Sequence, residues 1–340
     1  MVVYIYLSIF FLLGIMKNEF FKNKKSNFLI FLIIILFAFS YKMGSDWLVY
    51  QDWYENVFSK LSLYDIFFQN IDVEKGYVFL NFLFFHLGFS YELFMGMVLS
   101  ICSFIILKFV QKESKNYYLA FYFFLINGFL VALLEPITRQ LIALAFFIIA
   151  IKYIEESKVY KYIFTILIAT QFHESAFLLL PLYFLKHIKF SLKKIFFITL
   201  SSKILLDIFL IVIFLILPKY GNYLNSERYA PKAGSIKMYI IYFYYIFVIF
   251  GVYKGSRKKG NYTLILTSLF IIIYFLATYF PIIKRFNIYF LPFMSITISN
   301  IGEISIFKTK VKNTIKKPFI ILGTFLFFTI MKKVVVIKKK

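Results

Sequence analysis

Five polar residues far apart in the chain stand at the borders of apolar runs: Asp46, Glu74, Arg139, His173 and Arg285. Arginine is scarce, because only four of 39 basic residues are arginines: Arg139, Arg228, Arg257 and Arg285. Arg257 sits in a lysine cluster, whereas Arg139 opens an apolar run after Pro136 and Arg285 lies between two such runs. A guanidinium is a planar fork that grips phosphate oxygens two at a time and stays charged when partly buried. Its bland alternative is a snorkelling anchor at the membrane rim. His173, followed by Glu174 and Ser175, interrupts two apolar segments, and an imidazole there can act as base or donor near neutral pH. Asp46 and Glu74 bracket the longest polar stretch and are the other candidate proton acceptors. Glu135 precedes Arg139 by four residues, close enough to pair with it on one helix face; Glu135 and Glu174 count as supporting residues. Lys203 and Asp207 are likewise four apart, and a structural pair explains them as well as a proton relay does.

The polar stretch 42–75 also holds both tryptophans, Trp47 and Trp53. The tryptophans suit an interfacial aromatic belt. With three histidines and no HExxH pattern, a metal site is not expected. The single Cys102 excludes a disulfide within the chain. No cofactor is implied.

What must position these residues is a membrane domain. Apolar residues make up 61% of 340 and charged residues 16%, and mean hydropathy is +0.81. A soluble domain has about 45–50% apolar and about 25% charged residues. The expected fold is all-α and polytopic, with about 11–12 transmembrane helices and one re-entrant or interfacial segment. The expected spans are 2–16, 28–41, 91–108, 117–134, 138–154, 160–172, 175–187, 195–217, 236–253, 262–280 and 287–302, with 319–331 as a doubtful twelfth. Residues 1–340 form one transmembrane domain in this reading, with an extracytoplasmic loop at 42–76 and a re-entrant or interfacial segment at 77–90. The net charge of +23 comes from short lysine clusters between apolar segments, the pattern of cytoplasmic loops, so nucleic acid is not an expected partner. Connections 17–27, 108–116, 152–161, 186–194, 254–260 and 308–317 hold 23 Lys or Arg, against 10 in the alternate set. The first set is therefore cytoplasmic, and Asp46, Glu74, Arg139, His173 and Arg285 share the outer face.

The motifs carry a resemblance. GSDW at 44–47 followed by Tyr50, EKGY at 74–77, TRQLIALA at 138–145, QFHESA at 171–176 and KRFNIYF at 284–290 resemble, in order and spacing, the EpsG family of Wzy-like polysaccharide polymerases. That resemblance implies a glycosyltransferase of the bacterial cytoplasmic (inner) membrane. It would join undecaprenyl-diphosphate-linked oligosaccharides outside the cytoplasm, without a metal or nucleotide sugar. A flippase for lipid-linked oligosaccharides and an O-antigen ligase are the alternatives. A flippase and a chain-length regulator of the same pathway, with membrane lipids, are the implied partners. In this setting Arg139 and Arg285 would bind the diphosphate, His173, Glu74 or Asp46 would serve the acceptor hydroxyl, and Tyr50, Trp53 and Tyr54 could stack on sugar faces. The expected topology is open to cysteine labelling in a variant lacking Cys102: an impermeant reagent added outside should reach position 60 and not position 113. Labelling of both from one side would overturn it.

Overall fold

A computed structural model of the protein describes residues 47–125, 137–187, 261–277 and 281–300, with Asn27, Ile30, Ile34, Phe197, Ile198 and Ser201. Among the described residues all regular structure is helical and no strand occurs. In chain order, α1 (Trp47–Asp52) runs into a π turn (Trp53–Val57) and a 3₁₀ turn (Phe58–Lys60). Then come α2 (Leu63–Phe68), α3 (Lys75–His86), α4 (Tyr91–Glu113), α5 (Tyr117–Phe124), α6 (Thr138–Glu155) and α7 (Val159–Thr170). A long 3₁₀ helix (Glu174–His187), α8 (Asn261–Leu276), a second 3₁₀ helix (Pro281–Phe286) and α9 (Asn287–Asn300) complete the series. The chain divides into two compact units: Ile15–Glu113 with Gly128–His187, and Met1–Gly14 with Ser114–Asn127 and Ile188–Lys340.

Local chemistry sets the helix ends of the first unit. Ser62 caps α2 in a reciprocal box with Asp65, each side chain bonding the other's backbone N–H, which satisfies two N–H groups that a helix start leaves open. At the end of α3, Gly88 adopts φ +80°. Its N–H donates to the Phe85 carbonyl and that of Phe89 to the Phe84 carbonyl, while the Phe84 and Phe89 rings meet at 5.3 Å. This is a Schellman stop with its hydrophobic contact, and it needs a left-handed residue. The same motif closes α6, with bonds from Ser157 to Ile154 and from Lys158 to Tyr153. Here Ser157 takes the left-handed position at φ 57°. The chain therefore reverses at once, and α6 and α7 pack as an antiparallel hairpin.

Helix lengths decide where that hairpin ends. At about 1.5 Å per residue, the 18 residues of α6 reach about 27 Å and the 12 of α7 about 18 Å. The corner after α7 thus falls short of the start of α6. Phe172 stacks on Phe146, with centroids 5.6 Å apart and an interplanar angle of 16°, and Phe146 lies seven residues, roughly 10 Å, inside α6 from Arg139. The start of α6 is in turn fastened beside α4 by the Thr138 hydroxyl, 3.7 Å from the Met95 sulfur.

Among the described residues, α4 is the one helix long and apolar enough to cross a membrane. Leu93, Met97, Ile101 and Phe104 form an exposed apolar stripe along it at helical spacing. The segment 77–90 takes in all but the first two residues of α3, a helix about 18 Å long. Most of 42–76 is helical from Trp47 onward, so the polar stretch is a folded layer of short helices. The expected span 175–187 is a 3₁₀ helix of 14 residues with Pro181 inside; proline lacks the N–H and crowds the carbonyl four residues back, which breaks the α pattern. Spans 2–16, 236–253 and 319–331, most of 28–41 and of 195–217, residues 126–134 of the span 117–134, and the Lys203–Asp207 pair lie outside the described residues.

In the second unit, α8 packs on α9 and α9 on α5. The Thr267 and Thr297 hydroxyls, 2.8 Å apart, join two otherwise apolar faces, while Ser268 and Ser295 return their hydrogens to carbonyls of their own helices. Such hydroxyl contacts supply the specificity that apolar surroundings do not. The two left-handed stops give opposite mutational signs. Gly88→Ala should destabilise by about 1 kcal/mol and Ser157→Gly should stabilise by about 0.5 kcal/mol, read as shifts of thermal unfolding in detergent.

Candidate active site

Glu74 stands at the N-cap of α3, yet its side chain makes no capping bond to its own helix. It reaches instead into a junction of three elements. One carboxylate oxygen, Oε2, accepts from Arg139 Nη1 at 2.6 Å. The other, Oε1, accepts from His173 Nδ1 at 3.2 Å and from the backbone N–H of Glu174, also at 3.2 Å. The carboxylate is 8% exposed, against 24% for the Arg139 side chain and 26% for that of His173.

The junction depends on a close backbone approach. A Cβ built on Gly76 would stand 2.7 Å from both Cβ and the carbonyl oxygen of Gln171. The Tyr77 N–H donates to that same carbonyl at 3.2 Å. Only glycine lets the start of α3 lie against the corner after α7, and that contact aligns Glu74 with His173 and Glu174.

Burial by itself would push the Glu74 carboxyl up, but the bond from His173, the charge of Arg139 and the other hydrogen bonds outweigh it and hold the group down at about 2. Glu74 is thus ionised at any physiological pH and is a very weak base. An ionised carboxylate only accepts hydrogen bonds, so His173 must carry its hydrogen on Nδ1. In the neutral imidazole, Nε2 then holds the lone pair that can take a proton.

Arg139 occupies the first turn of α6 after Ile137, where a positive charge opposes the helix dipole. Glu74 compensates it. The Nε of Arg139 donates to the Tyr50 hydroxyl at 3.2 Å, and its guanidinium carbon lies 5.8 Å from the Tyr50 and Trp53 ring centroids. Tyr50 meets Trp53 edge-on at 5.2 Å and Tyr77 at 6.0 Å. The guanidinium is therefore held by a carboxylate at one end and two aromatic rings beside it. Of its five N–H groups, these bonds use two.

The first unit brings together Glu74, Arg139, His173, Glu174, Tyr50 and Trp53. Tyr50 is buried and serves as the hydrogen-bond partner of Arg139, while Trp53 is half-buried. Tyr54 is 1% exposed; its hydroxyl donates to the Phe89 carbonyl and its ring stacks on Phe94. It has no face to offer a glycan, which corrects the stacking role expected for it. Asp46 and Glu135 lie outside the described residues. Arg285 belongs to the other unit, where it is exposed in the 3₁₀ helix before α9. Gly76 and Gln171 are the site builders that residue chemistry alone misses, since neither carries a reactive group; both nonetheless sit inside EKGY and QFHESA.

The sequence pattern of the EpsG family matches residues 23–339, nearly the whole chain. The chain belongs to the EpsG family. The family covers exopolysaccharide and Wzy-like polymerases, so this EpsG-family chain serves polysaccharide biosynthesis. Membership together with the apolar helix α4 points to a membrane protein. No curated protein and no solved structure matches it.

The ion cluster has a pH signature. The ordinary carboxyl value of 4.5 falls to about 2 in the folded protein. The stabilisation from Glu74 is then complete above pH 4.5 and disappears as the pH drops towards 2. Unfolding of the wild type should be eased over that interval, while Glu74→Gln should lack that contribution to the slope. At neutral pH the same substitution should cost about 2 kcal/mol, because it strands the Arg139 charge. Equal acid profiles for the two proteins would exclude the buried ionised carboxylate.

Proposed function

We propose that this EpsG-family protein is a multi-pass polysaccharide polymerase of the bacterial cytoplasmic membrane. It joins undecaprenyl-diphosphate-linked oligosaccharide units at the extracytoplasmic face. The observation that carries this reading is that one buried carboxylate holds both a guanidinium and an imidazole. Group transfer from a diphosphate to a hydroxyl needs a cation for the leaving group and a base for the nucleophile, held within reach of each other.

In this reading the growing chain is the donor. The hydroxyl of an incoming lipid-linked unit gives its proton to His173 Nε2 as its oxygen attacks the anomeric carbon of the donor. The bond between that carbon and the diphosphate oxygen breaks. The polyprenyl diphosphate leaves with the electron pair, and the free N–H groups of Arg139 meet the charge that develops on it. Glu74 orients the imidazole and balances the imidazolium once it forms, the part a carboxylate plays behind a catalytic histidine. Its depressed pKa suits that positioning role better than proton abstraction. Trp53, beside Arg139, is the ring placed to meet the first sugar. The mechanism rests on the first unit alone and does not draw on Arg285.

The test is elongation in liposomes. Purified protein should convert lipid-linked repeat units into longer lipid-linked chains, with chelator present and no nucleotide sugar. Arg139→Lys keeps the charge and loses the fork, and should slow elongation about 100-fold. His173→Gln should slow it about 100- to 10,000-fold. Passage of unchanged substrate across the bilayer with no longer product would assign a flippase instead. Transfer only to a different lipid acceptor would assign a ligase.

A further inference from the structure

Among the described residues, one face of α7 in the α6–α7 hairpin has no protein partner. Tyr162, Ile166 and Ala169 are fully buried, and the Tyr162 hydroxyl donates to the Leu179 carbonyl at 2.6 Å. The opposite face exposes Tyr160 (86%), Phe164 (66%) and Leu167 (45%). These residues follow one another at intervals of four and three, so they form a single stripe. One further turn along the same line stands Gln171, which is exposed and whose Cβ faces the close approach of Gly76. The stripe therefore ends at the junction that aligns Glu74 with His173.

We propose that this stripe of α7 seats the polyisoprenyl tail of the donor, directly beneath the diphosphate site. The inference rests on the polymerase reading and adds to it the place of the lipid. Its first support is depth: the corner bearing His173 lies roughly 10 Å in from the start of α6, so a diphosphate drawn to it sits below the end of that helix. The tail attached to that diphosphate must leave on an apolar side, because carrying it through water would oppose the transfer. Its second support is reach: Leu167 stands three residues, about 4.5 Å, from the end of α7 at Thr170, and His173 follows in the corner just beyond. Its third is polarity: Lys158 and Lys161 flank Tyr160 at the far end, which places the limit of the apolar track there. Lipid tails are as apolar as leucine, so the seat does not act by expelling water. It acts by van der Waals contact along the tail, which adds to the hold on the donor without touching the reacting groups.

Two donors decide the matter, one with a long polyisoprenyl tail and one with a tail too short to reach Phe164. Each is elongated in liposomes by the wild type and by the Phe164→Ala/Leu167→Ala variant, whose altered residues face away from the hairpin core. The expected result is a KM about threefold higher for the long-tailed donor, with kcat unchanged and the short-tailed donor unaffected. Equal effects on both donors, or none on either, overturn the seat and leave the polymerase reading intact. A photoreactive residue in place of Phe164 supplies the second readout. Capture of the long-tailed diphosphate lipid supports the seat, whereas capture of bilayer phospholipid alone or of a second copy of this chain overturns it. Should the wild type elongate neither donor, the polymerase reading falls, and capture by position 164 alone decides whether a polyisoprenyl diphosphate sits on α7.

Discussion

A carboxylate taken out of water must have its oxygens filled, and the described part of the first unit is arranged around filling those of Glu74. Three donors converge on two oxygens, and they come from the start of α6, from the corner after α7 and from the first backbone N–H of the long 3₁₀ helix. Each donor has its own reason to need the partner. The arginine sits at the wrong end of a helix dipole, the N–H is one that a helix start leaves open, and the imidazole needs a fixed tautomer. A single charge answers all three, and removing it would leave three separate deficits.

The cluster is exact only because backbone meets backbone. Gly76 touches Gln171 where any side chain would intrude, and the Tyr77 N–H closes the contact. Behind it stands an aromatic wall: Tyr50 against Trp53 and Tyr77, and Tyr54 against Phe85, Tyr91 and Phe94. Rings of this kind have few rotatable bonds, so they lose little freedom when packed and hold the guanidinium with little play. The folded layer 47–68 thus supports the site as well as contributing residues to it.

Much of this architecture is legible in the residues, and what is not has physical causes. Hydropathy places the starts of α4 at Tyr91 and of α6 at Thr138, because an apolar run begins there. It ends α4 five residues early, at Lys108, because a helix need not stop where its side chains turn polar; Lys112 and Glu113 continue it in a solvated setting. Hydropathy is also blind to the coil itself, so the 3₁₀ winding of 174–187 reads as one more span. Arg139 and His173 stand out as polar residues among apolar runs, and Glu74 as the last carboxylate of the polar stretch before an apolar run. Their union does not, since 65 and 99 residues separate Glu74 from its two partners. The local candidate for Arg139, Glu135, follows from helix spacing alone and lies outside the described residues, among which the carboxylate partner is Glu74, from the start of a different helix.

The reversal at Ser157 gives the α6–α7 hairpin the character of a ruler read from one end. Because the turn has no slack, a residue's position along either arm fixes both its height and its compass direction. One residue added to the turn would leave each arm in phase with itself. One residue added within α6 would swing Arg139 about 100° around the helix axis while His173 stayed where it was. The number of residues between the turn and the guanidinium is therefore as much a part of the site as the guanidinium itself, and no substitution at Arg139 could repair a change in that count.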